Sequence, residues 1–276
     1  MLLFLLGDRP RAVEAGGFRV VLHRLGPRDG EPWLLLHGLG STAFSWIAVI
    51  RALRGECLLL APELSRIGGT TGPEPALGPK NGPNVLLALL DREGIRGPIT
   101  VAGISLGGWI AVELALRAPE RVGRLLLLDA AGWKDQDWEE IVASLDLRTV
   151  SDVDTFYQLL FRHLPWRFRV SRRGILQAFR SPAVRFVFDH LTEDDLLTEE
   201  KLSRVDIPTG IVWAEQDGLF HPDVAWAMAA ALPDLRYLSI IPDCGHALHW
   251  DRPAEVVRRV REFRRRVGVD DEGLEG

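Results

Sequence analysis

Lysine is almost missing from this sequence. It occurs only at positions 80, 134 and 201, so nearly all of the 33 basic residues are arginine. That skew fits genome composition and adaptation to heat equally. Cysteine is scarcer still. Cys57 and Cys244 allow at most one disulfide, which excludes a secreted disulfide framework, and they lack the paired spacing of metal ligands. Positive charge is not in excess either: the net charge is −5. An acidic chain is poorly built to neutralise phosphates, so a nucleic-acid partner is not expected. No apolar run is long enough to cross a bilayer. "MLLFLL" at residues 1–6 is too short, and it has neither a preceding basic region nor a small-residue cleavage site. We read it as an edge strand or an ordered terminus. These absences predict a cytoplasmic protein without a stable membrane anchor. No cofactor motif, metal motif or internal repeat is found.

What is present is a large apolar core. The chain has 276 residues, 47% of them hydrophobic, enough for one α/β domain with an insert. "FRVVLHRLG" (18–26), "PWLLLHGLG" (32–40), "ECLLLAPEL" (56–64), "PITVAGIS" (98–105), "RLLLLDAAG" (124–132), "TGIVWAEQDG" (209–218) and "LRYLSIIPD" (235–243) read as strands. Helical patterns alternate with most of them: "NVLLALLDREG", "LGGWIAVELALRAPER", "DVAWAMAAALP" and "AEVVRRVREFRRRV". Such alternation predicts a mostly parallel sheet covered on both faces. Residues 133–203 break it. They are richer in charge and aromatics, and "WEEIVASL", "VDTFYQLLFRHL" and "RRGILQAFRS" read as short helices. We expect a helical cap over 133–203, with residues 1–132 and 204–276 forming the core domain. Residues 62–83, ten of them Gly or Pro, predict a long irregular loop. The last residues, "DDEGLEG", read as a frayed acidic tail.

The chemistry centres on "VAGISLGGWI" (101–110). An apolar strand runs into Gly-x-Ser-x-Gly and then into a helix. A tight strand-to-helix turn at Ser105 requires small neighbours, which Gly103 and Gly107 supply. It would set Ser105 at the carboxyl edge of the sheet, where open α/β folds bind ligands, and at a helix N-terminus that favours developing negative charge. A serine hydroxyl needs a base. Of the seven histidines, His246 follows a predicted strand and precedes the last helix, which brings it to the same edge; His249 is its rival. The imidazole needs an acid to fix its tautomer. Asp217 and Asp129 both end strands at that edge. Asp217 is favoured, leaving Asp129 as a structural carboxylate that caps backbone N–H groups. The backbone N–H groups of Leu106 and of Leu39, in "HGLGS", are the expected oxyanion donors, with His37 fixing that loop.

On "HGLGSTAFSW", "GISLGGWIA", "WAEQDGLF" and "CGHALHWDRPAEV", in the order nucleophile, acid, base, the chain resembles the α/β-hydrolase superfamily over about residues 18–267. The resemblance implies Ser105 as nucleophile, Asp217 as acid, His246 as base, and Leu39 and Leu106 as oxyanion donors. It departs at "PELSRIGGTTG", where Glu63 stands in the place of the aspartate usual in relatives and the following helix is short or lost.

Serine at the elbow argues against dehalogenases and epoxide hydrolases of this fold, which use aspartate there. The insert is similar in length and pattern to caps of monoacylglycerol-lipase-like carboxylesterases. That implies an apolar acyl ester as small-molecule substrate, sheltered by Phe156, Leu159, Leu160, Phe161, Trp166 and Phe168, and no cofactor. Carbon–carbon bond hydrolases of the meta-cleavage type are the alternative, although these commonly carry a tryptophan directly after the catalytic histidine, where Ala247 stands here. A binding protein that kept the fold and lost catalysis is the reading from another class. The basic run on the last helix reads as a solvated face, and Cys244 as a small structural residue.

Overall fold

The structure, a computed structural model, describes residues 8–268. The apolar stretch 1–6 and the acidic tail 270–276 lie outside the described residues. In chain order the elements are β1 (Arg11–Ala15), β2 (Phe18–Leu25), β3 (Glu31–Leu36), α1 (Ile47–Leu53), β4 (Cys57–Pro62), α2 (Gly82–Arg92), β5 (Ile99–Ile104), α3 (Leu106–Arg117) and β6 (Val122–Leu128). There follow α4 (Trp138–Leu145), α5 (Val150–Leu160), α6 (Trp166–Val170), α7 (Arg172–Phe179), α8 (Pro182–Asp189) and α9 (Glu199–Leu202). The chain then returns to the sheet with β7 (Thr209–Ala214), α10 (Asp223–Ala231), β8 (Leu235–Ile241), α11 (Leu248–Asp251) and α12 (Pro253–Arg266).

The eight strands form one sheet in the order β1-β2-β4-β3-β5-β6-β7-β8. β2 runs antiparallel to β1 and to β4, and every pairing from β4 to β8 is parallel. The apolar runs of the sequence are the central strands, buried on both faces because helices cover both. Successive residues alternate between two cores with the period of a strand. Leu34, Leu36, Val101, Leu125, Leu127 and Ile211 face the side of α2, α3 and α10. Trp33, Leu35, Ala102, Leu126, Leu128 and Val212 face α1 and α12.

All seven strands expected from the sequence are present. β1 adds an eighth: "RAVEA" is a half-exposed edge strand with no apolar run to announce it. The 62–83 segment is irregular as expected but pinned. It holds a single 3-10 turn at Arg66–Gly68 and isolated bridges from Arg19 to Thr71 and from Ser65 to Ala76.

The segment between β6 and β7 holds the helices α4 to α9 and, among the described residues, no strand of the sheet. Its two ends meet at a bridge between Trp133 and Leu197, with Leu197 N donating to Gly132 O at 2.7 Å and Lys134 N to Leu197 O at 3.0 Å. Beyond that neck, α9 packs against α10.

Candidate active site

β5 delivers Ser105 and α3 begins one residue later. Ser105 has φ 53° and ψ −120°, a left-handed conformation that costs energy for a residue with a side chain. The turn is held by Ser105 N donating to Leu128 O at 2.9 Å and by Ser105 O accepting from Gly108 N and Ala131 N. The flanking glycines are sterically required. A Cβ on Gly103 would lie 2.3 Å from Gly107 O, and one on Gly107 would lie 2.2 Å from Leu36 O. The other described non-glycine residues with positive φ are Asp129, directly after β6, and Asp243, in the loop after β8. All three strained residues therefore follow the carboxyl ends of strands, at the rim where the site lies.

His246 and Asp217 meet there. His246 Nδ1 lies 2.7 Å from Asp217 Oδ2. A carboxylate can only accept, so Nδ1 carries the proton and Nε2 is left as the basic nitrogen. Asp217 is itself oriented by its own loop: Oδ1 accepts from Leu219 N and Phe220 N, each at 2.8 Å. The Phe220 ring stands edge-on to the imidazole at 5.0 Å. Ser105 and His246 line one cavity of about 980 Å³, its open mouth included. Its other walls are mainly apolar, with Phe156, Phe161 and Phe168 contributed by the helical segment.

Leu39 and Leu106 line the same cavity. Among the described residues neither backbone N–H has an intramolecular acceptor, so both are available to a ligand. The Leu39 loop is fixed from behind. His37 Nδ1 donates to Gly38 O at 2.8 Å, and Nε2 accepts from Leu64 N at 3.0 Å. Glu63 holds the next residues, accepting from Ala43 N at 3.2 Å. It also takes a hydrogen bond from His23 Nε2 at 3.1 Å, while His23 Nδ1 lies 2.6 Å from Asp8. Burial resists charge on Glu63, but the His23 and His37 imidazoles beside it outweigh burial and pull its carboxyl down to about 2. Burial likewise opposes charge on His23, and its two carboxylate partners overcome it, so its value is raised.

Asp129, the rival acid, lies close to the pair. Its Oδ1 accepts from Ala214 N at 2.7 Å, the backbone role expected of it, while Oδ2 is buried with no partner among the described residues. Complete burial, and then the charge of Asp217, push its carboxyl well up. One ligand atom from each of Asp129, Asp217 and His246 falls within 4.8 Å of the others, the only such cluster among the described residues. Both Oδ1 atoms accept from backbone N–H groups, Asp217 Oδ2 is taken by His246 Nδ1, and burial disfavours charge on Asp129. That donor set suits a hydrogen-bonded relay better than a cation.

His249 also lines the cavity but makes no hydrogen bond among the described residues. Burial, and then the nearby His246 and Arg167, lower it to about 3, and no carboxylate orients it. Burial raises the Cys244 thiol, so it is no thiolate nucleophile.

Two features were not read from the sequence. The first is a clamp between the carboxyl end of α5 and the site. Leu159 O accepts from Gly218 N at 3.1 Å, and Leu160 O from Ala247 N at 2.8 Å. The Asp251 carboxylate then accepts from Arg162 N, His163 N and Gly245 N at 2.7–2.8 Å. Nothing in the spacing of these residues signals it, because its donors are backbone groups. The second corrects an expectation. Trp166 does not line the cavity and is 77% exposed. On a five-residue helix, residues two apart point to opposite sides, so of the two expected at the cavity only Phe168 faces inward.

A sequence model of the alpha/beta hydrolase family matches residues 33–259. The chain is 23% identical over 262 residues to Lipase 1 of Psychrobacter immobilis, spanning 91% of this chain and 82% of that one. It is 26% identical over 254 residues to the pimeloyl-[acyl-carrier protein] methyl ester esterase of Nitrosospira multiformis, spanning 86% and 95%. In fold it is similar to the meta-cleavage product hydrolase from Pseudomonas fluorescens IP01, with a TM-score of 0.78, 21% identity, and 92% and 96% of the two chains covered.

Proposed function

The chain belongs to the alpha/beta hydrolase family, and from that premise we propose that it is a serine hydrolase cleaving a carboxylic ester through an acyl-enzyme. The observation that carries this reading is the shared cavity of Ser105, held at φ 53°, and His246, hydrogen-bonded to Asp217 at 2.7 Å. In the proposed reaction Ser105 Oγ attacks the ester carbonyl while His246 Nε2 takes the hydroxyl proton. Asp217 stabilises the imidazolium, and the N–H groups of Leu39 and Leu106 bind the tetrahedral oxyanion. The C–O bond to the alcohol breaks, and His246 returns its proton to the leaving oxygen. Water, deprotonated by His246, then attacks the acyl-enzyme and releases the acid with Ser105 restored.

In this reading residues 133–203 act as the cap, and Phe156, Phe161 and Phe168 line an apolar acyl site. The lipase and esterase names of the two relatives point to the same bond type. The fold shared with a meta-cleavage product hydrolase keeps carbon–carbon cleavage as the second reading. Ala247 in place of the tryptophan common in such enzymes weighs against it.

Ser105→Ala is expected to abolish covalent labelling by a fluorophosphonate and to lower ester kcat by about 10⁴-fold or more. A panel of p-nitrophenyl esters from acetate to palmitate, run beside a meta-cleavage dienoate, tests the bond type. Turnover of the dienoate with negligible ester hydrolysis would replace the ester reading by the second one.

A further inference from the structure

Between Asp154 and Asp189 the chain carries seven arginines, at 162, 167, 169, 172, 173, 180 and 185, and no acidic residue, although the net charge of the whole is −5. At the centre of this stretch is α6. Its inner side is cavity wall: Phe168 lines the cavity and packs on Phe161 with ring centroids 4.8 Å apart. Its outer side carries Trp166 and Val170, one turn apart and each 77% exposed, the most exposed large apolar side chains among the described residues. Arginines flank the pair. Arg167 stacks over the Trp250 ring at 4.5 Å, and Arg169 and Arg173 are exposed and make no ion pair among the described residues.

We propose that the outer face of α6, Trp166 and Val170 with the arginines around them, docks reversibly on the surface of anionic phospholipid. A tryptophan ring suits the headgroup layer, where its apolar body is buried and its N–H stays solvated. Guanidinium groups pair with lipid phosphates in the same layer. A second copy of this chain is a poor occupant. A two-fold contact would set one arginine cluster against its twin with no carboxylate from 155–188 between them. A polyanion such as RNA would satisfy the arginines but leave Val170 without a partner. Docking here sets one wall of the catalytic cavity against the headgroups. It thereby deepens the hydrolase reading, because it names an ester held in or at a lipid surface as the substrate.

Vesicle co-sedimentation tests the docking, with binding measured on Ser105→Ala so that its failure is distinguishable from failure of the hydrolase reading. Full-length protein should partition onto vesicles of equal parts phosphatidylcholine and phosphatidylglycerol. It should bind pure phosphatidylcholine about tenfold more weakly, and salt should release it. Trp166→Ala with Val170→Ala, and separately Arg169→Gln with Arg173→Gln, should each lower partitioning by about tenfold while hydrolysis of a soluble short-chain ester is unchanged. Equal binding to both vesicle types, no binding, or binding indifferent to both double variants overturns the proposal. So does a dimer that dissociates on the Trp166 and Val170 change, or retention on RNA that depends on the arginines alone.

Discussion

Asp129 and Asp217 crowd one imidazole, and their hydrogen bonding differs. Asp217 accepts three hydrogen bonds, from His246 Nδ1, Leu219 N and Phe220 N, which suits a carboxylate. Asp129 is wholly buried, one of its oxygens has no partner among the described residues, and burial pushes its carboxyl well up. An asparagine is therefore a poor substitute for the first and a close mimic of the second. Asp217→Asn is expected to lower kcat by about 10³–10⁴-fold, since an amide no longer selects the working tautomer. Asp129→Asn keeps the Oδ1 acceptor for Ala214 N and should change kcat by no more than about threefold, with only a modest change in stability. Steady-state kinetics of the two variants on one ester decide the assignment, and a larger loss at 129 would reverse it. At this scale the sequence spoke clearly where position follows from a strand end. Ser105 and Asp217 each sit just past an apolar run and His246 a short loop past one, so the sheet brings all three to one rim. It misled on Trp166, because the phase of a five-residue helix is set by the packing of Phe168 and not by its own pattern.

The element that most constrains the site is α5. Its last carbonyls accept from the loops bearing Asp217 and His246, and just beyond it Arg162 N and His163 N donate to the Asp251 carboxylate on α11. The approach is close: a Cβ on Gly245 would lie 2.6 Å from Leu160 O and 2.9 Å from Arg162 N. Gly245→Ala must push the α5 end away from the histidine loop. Misplacing a catalytic group by about 1 Å costs roughly 100-fold, so kcat should fall about tenfold to 100-fold, with a melting temperature lower by several degrees. A variant with wild-type kcat would show that the clamp does not position His246. Amphipathic spacing announced α5 in the sequence, as it did α4 and α7. The clamp was illegible because its partners lie 59 to 89 residues away from it in the chain and, apart from the Asp251 carboxylate, meet through backbone atoms.

On the scale of the whole molecule, the parallel sheet was legible because both-face burial leaves unbroken apolar runs. β1 was not, because a half-exposed edge strand leaves none. The edge is secured instead by charge. Asp8, His23 on β2 and Glu63 after β4 form one line that ends on Ala43 N, behind the Leu39 loop. This line makes stability depend on pH in both directions. Glu63 is lowered from 4.5 to about 2, so its contribution is present above 4.5 and is lost as pH falls toward 2. His23 is raised from 6.5, so its contribution is complete below 6.5 and is lost as pH rises through the raised value. Urea unfolding across pH should show the cluster's contribution greatest between 4.5 and 6.5. In His23→Gln the decline on the alkaline side should flatten. An unaltered alkaline slope in that variant would assign the decline to other groups.

The roof of the cavity is fastened twice, at the Trp133–Leu197 neck and along the α5 end. A covering tied down on those sides cannot swing from them without pulling Asp217 and His246 out of register. The cavity already has an open mouth, so a ligand can reach Ser105 without α5 moving. Entry of a molecule and the pairing of His246 with Asp217 are then separable.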